Sequence, residues 1–422
     1  MGGHTIGVLG ATGHTGRRVC SVLERSECRW IGAARAPSRF ALPAPAAPRR
    51  GGSAQPVPRS RSTRSEIVAA DATDRDSLDR FLDRVDLVIN CAGPYTELGL
   101  PVAQAALSAG VHLLDLSGEQ VYVRECEQLD EGASRSGVVL GNAMGVEVAL
   151  SDCAAALAAR GLSAIEGIRV AGAVSGFRTS RASRMSALEA IWGEGVRRTG
   201  GRFERAAVAH ESRQFDLHAP FGVSTCAWYP GVEILTIPRH LSAATVATYI
   251  RVPAVASAPL KWMGAAAALP LRLASASDHM AGFGGNGGSG MARKGLRRCL
   301  RLVRNAAGRL GGEPCTERPS PFEIRVEVLG RGTSGIEYRG VSVLGRDPYG
   351  LSAEIVVRSA LRLLEHGPAV GRGGVLAPAQ VVDPGWLFSV LEPLDGYDLE
   401  VRDLEERNRD SQPPQAPGSE SR

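Results

Sequence analysis

Short aliphatic runs punctuate the first third of the chain: Thr5–Leu9, Trp30–Ala34, Glu66–Ala70, Leu87–Cys91, Val111–Leu114 and Val138–Leu140. Runs this short and this apolar have the pattern of strands buried on both faces. Between them, Thr15–Ser26, Asp76–Arg84, Leu100–Ala109 and Val121–Ser136 have helical patterning and enough length for right-handed crossovers. The alternation predicts an α/β fold with an N-terminal Rossmann-type, doubly wound parallel sheet of six strands. The rhythm stops after about residue 146. Alternating apolar and polar positions reappear at Phe322–Val328, so a second, mixed α+β domain is expected. Its last helix, Ser352–Glu365, follows the turn Asp347-Pro348-Tyr349-Gly350.

Two stretches break the pattern. Residues 41–65 are rich in proline, arginine and serine and poor in large apolar residues, as expected of a disordered insertion after the second strand. The segment after Arg402, with Gln412-Pro413-Pro414-Gln415, reads as a disordered tail. The expected organisation is therefore a nucleotide-binding domain over 1–147, a substrate and dimerisation domain over 148–401, and a tail over 402–422. A homodimer is expected.

Composition narrows the function. A chain of 422 residues with 44% hydrophobic content has room for two cores. The first apolar run is too short for a leader or a membrane span, which points to a cytoplasmic protein. The eight cysteines form no C-x-x-C pair and read as reduced structural thiols; no metal site is expected. Net charge is only +5, and only Lys261 and Lys294 are lysines among 49 basic residues. No nucleic-acid partner is expected from this balance.

Six basic residues crowd the helix-like run Arg293–Arg304. A solvated face explains such a run; the sharper alternative is docking of an acidic carrier protein or a coenzyme A phosphate. The apolar stretch Val252–Leu273, interrupted by Lys261 and Arg272, suits a buried helix or a subunit interface, with a weak membrane contact as the alternative.

The chemistry begins at Gly10-Ala11-Thr12-Gly13-His14-Thr15-Gly16, which runs from the first strand directly into a helix. Missing side chains at Gly10, Gly13 and Gly16 let backbone N–H groups, flanked by Thr12 and Thr15, approach a pyrophosphate at the positive helix end. The second strand ends at Arg35, where an NAD site usually carries an acidic residue. A guanidinium there suits a 2′-phosphate, with Ser38 as a helper, and favours NADP(H); a solvated arginine is the alternative. Asp71, beyond the third strand, is placed either to receive the adenine amino group or to cap the next helix.

The fourth strand closes into Asn90-Cys91-Ala92-Gly93-Pro94-Tyr95 and the fifth into Asp115-Leu116-Ser117-Gly118-Glu119. With the glycine loop, this order resembles the saccharopine dehydrogenase-like NADP-binding proteins, which include trans-acting enoyl reductases of lipid and polyketide pathways. The resemblance covers residues 5 to about 147. It thins over the second domain to Ile237-Pro238-Arg239, Asp347–Gly350 and Gly374–Ala379. It implies that Asn90, Gly93, Pro94 and Tyr95 pass close to the nicotinamide ribose and that Ser117, Gly118 and Glu119 border the reaction cleft. Both segments end strands, where doubly wound sheets bind ligands. The implied activity is NADPH-dependent reduction of a C=C or C=N bond in a lipid, polyketide or other secondary-metabolite intermediate, with a saccharopine-type amino-acid dehydrogenase or a non-catalytic NADP-binding scaffold as alternatives.

Hydride transfer also needs a proton donor. Tyr95 and Glu119 are the catalytic candidates, with Tyr122 nearby and Asp115 to orient them. Tyr95 reads equally as a packed aromatic, and Glu119 as a favourable charge on the dipole of the helix at Val121. No Ser-x-x-x-Tyr-x-x-x-Lys arrangement exists. In the second domain, His210, His218 and His240 lack evident partners, and Arg239 is the better candidate for a substrate carboxylate or phosphate.

Overall fold

A computed structural model describes residues 3–40, 65–176, 180, 184, 195–252, 319–333 and 335–404. The N-terminal part alternates β1 (Thr5–Leu9), α1 (His14–Glu24), β2 (Arg29–Ala34), β3 (Ser65–Ala69), α2 (Arg75–Leu82), β4 (Leu87–Asn90), α3 (Tyr95–Ala109), β5 (His112–Asp115), α4 (Gln120–Cys126), α5 (Asp130–Ser136) and β6 (Val139–Gly141). All six expected strands are present, within one residue of their expected starts. The single helix expected over Val121–Ser136 is instead α4, a 3-10 turn at Glu127–Leu129, and α5. The helix expected from Leu100 starts five residues earlier, at Tyr95, because the Glu119 carboxylate caps its first turn.

The chain continues through α6 (Val146–Ala158), β7 (Ala164–Val174), β8 (Val196–Thr199), β9 (Arg202–Arg205), β10 (Ser212–Asp216), β11 (Val223–Trp228), α7 (Glu233–Thr236) and β12 (Ala243–Arg251). After it come β13 (Pro321–Gly332), β14 (Gly335–Arg346), α8 (Pro348–His366), β15 (Gly374–Leu376), α9 (Pro378–Val381), α10 (Pro384–Leu391) and β16 (Glu400–Leu404). Among the described residues, β7–β14 and β16, without β15, make one mixed nine-stranded sheet, with β12-β7-β13-β14 at its centre. The alternating run Phe322–Val328 lies within β13, as its pattern requires.

The expected boundary at residue 147 does not describe the path of the chain. The first sheet has seven strands in the order β15-β6-β5-β4-β1-β2-β3, its edge completed by β15, which pairs in parallel with β6. Three residues of Gly-Val-Leu carry too little pattern to be read as a strand. Residues 402–404, expected in the tail, lie instead in β16, which pairs antiparallel with β14 through Leu404; residues 405–422 lie outside the described residues. The Arg293–Arg304 run, the stretch after Val252, and nearly all of the 41–65 insertion lie outside the described residues.

Two helices join the sheets. One face of α6 packs on β13 and β14, while α8 packs on α1, and both bury apolar residues in a core that runs from Ile6 and Val8 through Leu150, Leu351 and Ile355 to Val326 and Val343. On the opposite face of the parallel sheet, Leu78 and Phe81 of α2 and Val102 and Ala106 of α3 cover Ile31, Val88 and Leu113. Arg25, just past α1, donates to the buried Glu354 of α8 at 2.6 Å, tying these two helices at their rim. The turn at Asp347–Gly350 starts α8: the Asp347 carboxylate accepts from Gly350 N–H, and Asp347 itself takes φ +51. Among the described residues, no helix is long and apolar enough to cross a membrane, and all cysteines are free.

Candidate active site

The loop between β1 and α1 is built around glycine. Gly10 has φ +84, and a Cβ on it would lie 2.9 Å from the Cys91 carbonyl carbon. A Cβ on Gly16 would drive into the Gly10 carbonyl oxygen. The N–H groups of Gly10 and Ala11 both donate to Ala33 O, which fixes the loop against β2. Gly13 caps α1 without a side chain, so the first-turn N–H groups point outward with no intrahelical partner. This cradle fits a dinucleotide pyrophosphate on three observations: the glycines admit close backbone approach, the helix end is positive, and no acidic residue occupies the first turn. His14 packs edge-on to Tyr349, 4.7 Å between ring centroids, and its Nε2 is buried without a hydrogen-bond partner. Burial, then the charges of Arg18 and Arg17, lower its pKa to about 4, so it is neutral at pH 7.

At the adenosine end, Arg35 and Ser38 are both exposed, just beyond β2. The Asp71 carboxylate accepts from Thr73 N–H and Oγ1, and these bonds, with the Arg35 charge, hold its pKa below the usual value. The helix cap considered for Asp71 belongs to Asp74, which accepts from Asp76 and Ser77 N–H.

The loops after β4 and β5, expected at the nicotinamide end, are denser. Asn90 is fully buried; its Oδ1 accepts from Ala92 N–H at 3.0 Å while its Nδ2 has no partner. The Gly93–Pro94 peptide is cis. Tyr95 opens α3 and donates its hydroxyl to Asn90 O at 2.8 Å, its ring stacked on Tyr122. The Glu119 carboxylate accepts from Tyr95 and Thr96 N–H at 3.2 and 2.7 Å. Glu119 thus caps α3, a role different from both the proton donor and the charge on its own following helix that the sequence offered. The contacts seen for both catalytic candidates hold the cofactor loops in place, and burial raises the Tyr95 pKa well above 10.

Beneath them lies Asp115, fully buried. Its carboxylate accepts from Ala143 N–H, Asn142 Nδ2 and Tyr122 Oη, each at 2.8 Å, and from Ser117 N–H at 2.9 Å. Desolvation raises its pKa against the pull of those bonds. Tyr122, with its hydroxyl committed to Asp115 and no exposed surface, is removed as a proton donor. Ser117 accepts Glu119 N–H, and Gly118 is exposed.

The second domain contributes residues that the sequence did not single out. Gln120 joins the two parts: its Nε2 donates to Val196 O and Gly231 O at 3.2 and 2.9 Å, and its Oε1 accepts Val196 N–H at 2.9 Å. Gly231 is flanked by Tyr229 and Glu233. Tyr229 Oη donates to Glu147 Oε1 at 2.6 Å, from the loop before α7 to the first turn of α6. Glu233 is 1% exposed; its Oε1 accepts from Ser151 Oγ at 3.3 Å, and its Oε2 has no partner. Burial, then the Glu147 charge, push the Glu233 pKa up to about 8. The Pro-Gly turn at 230–231 was the only sequence cue to this loop.

The three histidines do have partners. His210 packs against Trp228, His218 pairs with the buried Glu323 at 2.9 Å, and His240 meets Asp152 at 3.0 Å. Arg239 reaches Glu127 at 3.5 Å, with Nη1 buried and unpartnered, in the seam between α4 and α9. Among the described residues, no cluster suited to a metal ion occurs.

Residues 6–140 match the family model described as the saccharopine dehydrogenase NADP binding domain. A saccharopine dehydrogenase-like oxidoreductase of Rattus norvegicus is 28% identical over 142 residues, 32% of each chain. A trans-acting enoyl reductase of Mycobacterium ulcerans is 36% identical over 58 residues, 14% of each chain. The matched stretches thus cover well under half of these relatives. The solved saccharopine dehydrogenase (L-Glu forming) of Saccharomyces cerevisiae superposes with a TM-score of 0.57 at 15% identity, over 96% of this chain and all of that one, and shares the two-domain fold.

Proposed function

The N-terminal domain belongs to the saccharopine dehydrogenase NADP-binding family, and from that premise we propose that the chain is an NADPH-dependent reductase of a C=C or C=N bond in a lipid, polyketide or other secondary-metabolite intermediate. The observation that carries the reading is the junction of the two domains over the ends of β4 and β5, where the Asn90–Tyr95 and Ser117–Glu119 loops meet the Gly231 loop through Gln120. A substrate held at this junction would lie beside the nicotinamide end of the cradle. The cofactor supplies the hydride when bound; the protein orients it, excludes water and holds the substrate. The glycine loop holds the pyrophosphate, Arg35 and Ser38 the 2′-phosphate, and Asn90 Nδ2, a buried donor without a partner, is free for the nicotinamide ribose.

The Arg293–Arg304 run fits docking of an acidic carrier protein that delivers the substrate as a thioester. The amino-acid dehydrogenase reading calls for a pair of arginines in the cleft, and Arg239 is engaged with Glu127 instead.

Fluorescence titration tests the reading. Purified protein is expected to bind NADPH and to prefer it to NADH, and Arg35→Ala to weaken NADPH by about 10- to 100-fold with NADH unchanged. No NADPH binding by the wild-type chain would overturn the proposal.

A further inference from the structure

The Gly231 loop brings three oxygens to one point. A Cβ on Gly231 would lie within 3.0 Å of Glu233 Oε2, Thr248 Oγ1 and Tyr229 Oη at once. Glycine therefore keeps open a small space into which a buried, unpartnered carboxylate oxygen and a phenol both point. The elements around it set the charge there. From α6 come Glu147 and Asp152, the latter hydrogen-bonded to His240, with Ser151 beside Glu233. Thr248 of β12 donates to Tyr229 O. On β8, Arg197 pairs with Glu204, and Arg198 donates to Ala243 O and stacks on Phe203. No cation among these contacts compensates Glu233, whose burial pushes its pKa to about 8, so it keeps its proton at neutral pH.

The cluster lies at the ends of β5 and β6. A Cβ on Gly145, the cap of α6, would be 3.7 Å from Leu116 O, and Gly231 O receives the Gln120 amide, next in sequence to Glu119. Tyr95 and Tyr122 have their hydroxyls committed inside the cofactor domain, but Tyr229 is only half-buried and its acceptor Glu147 is exposed. Resting on the reductase reading above, we propose that Tyr229 is the proton donor of the reaction, with Glu147 and Glu233 as the positioning pair that resupplies its proton.

The step balances. Bound NADPH would supply the hydride, and leave as NADP+, for a new C–H bond at the β-carbon of an unsaturated thioester or at the carbon of an imine. The π electron pair moves to the α-carbon or nitrogen, which takes the Tyr229 proton. The phenol oxygen regains a proton through its hydrogen-bonded neighbour Glu147, which is exposed and takes one from solvent.

Two measurements on the full chain test this. The first is the ratio of NADP+ to NADPH affinity between pH 6 and 9.5. A positive nicotinamide favours the ionised cluster, so the ratio in wild type is expected to shift toward NADP+ by several-fold across a titration near pH 8, and Glu233→Gln to flatten it. A ratio independent of pH, with both forms bound, overturns the inference and leaves the reductase reading intact; failure to bind NADPH overturns both. The second uses crotonyl-N-acetylcysteamine as the probe in single turnover. Tyr229→Phe is expected to slow turnover by about 100-fold or more with the NADPH Kd unchanged, and Glu147→Gln to move the pH profile. Turnover by Tyr229→Phe within about threefold of wild type also overturns the inference.

Discussion

Asp115 and Glu233 are both buried carboxylates with raised pKa values, and they differ in how their oxygens are satisfied. Asp115 accepts four hydrogen bonds, two from backbone and two from side chains, and has no access to the cleft. Glu233 accepts one side-chain hydrogen bond and leaves Oε2 bare beside a phenol. A saturated carboxylate organises backbone; an unsaturated one stores a proton. Burial and a raised pKa alone do not separate these two roles.

Asp115→Ala breaks that comparison most severely. It strands a hydroxyl, an amide and two backbone N–H groups in the core, so a loss of roughly 3–5 kcal/mol of unfolding free energy is expected in urea titration. Gln120→Ala removes three hydrogen bonds between the domains, for about 2 kcal/mol by the same measurement, with weaker substrate binding as the cleft loosens. Glu233→Gln is expected to be the mildest, within about 1 kcal/mol at pH 7, since it keeps the shape and removes a desolvated acid.

Its distinguishing mark is pH. The folded pKa of Glu233, about 8, lies above the ordinary 4.5, so the stability it contributes is present in full below pH 4.5 and is lost as pH rises through 8. The urea midpoint of wild type is expected to fall across that window, and that of Glu233→Gln to fall less.

The first domain was legible because its cues are local. Doubly buried strands read as apolar runs, and Gly10 and Gly16 stand where a side chain would strike Cys91 or the Gly10 carbonyl. Loop roles were not legible to the same degree. Tyr95 and Glu119 lie at the right strand ends, yet their partners, Asn90 O and the first turn of α3, depend on how two loops meet in space. Glu147, Tyr229 and Glu233 are drawn from two segments far apart in sequence, with no motif linking them. The histidines looked isolated for the same reason: Glu323 and Asp152 are distant in the chain.

The small strand β15 has a consequence for how the molecule is made. Gly374–Leu376 supplies the outer neighbour of β6, so during synthesis Val139–Gly141 wait with one side of their backbone bare until most of the chain has left the ribosome. The nucleotide-binding half is therefore not a module that matures first and receives a partner later. Its last strand and its covering helix α8 arrive only after β7–β14 of the second sheet have been translated, which makes completion of the first sheet a late event in the life of each new molecule.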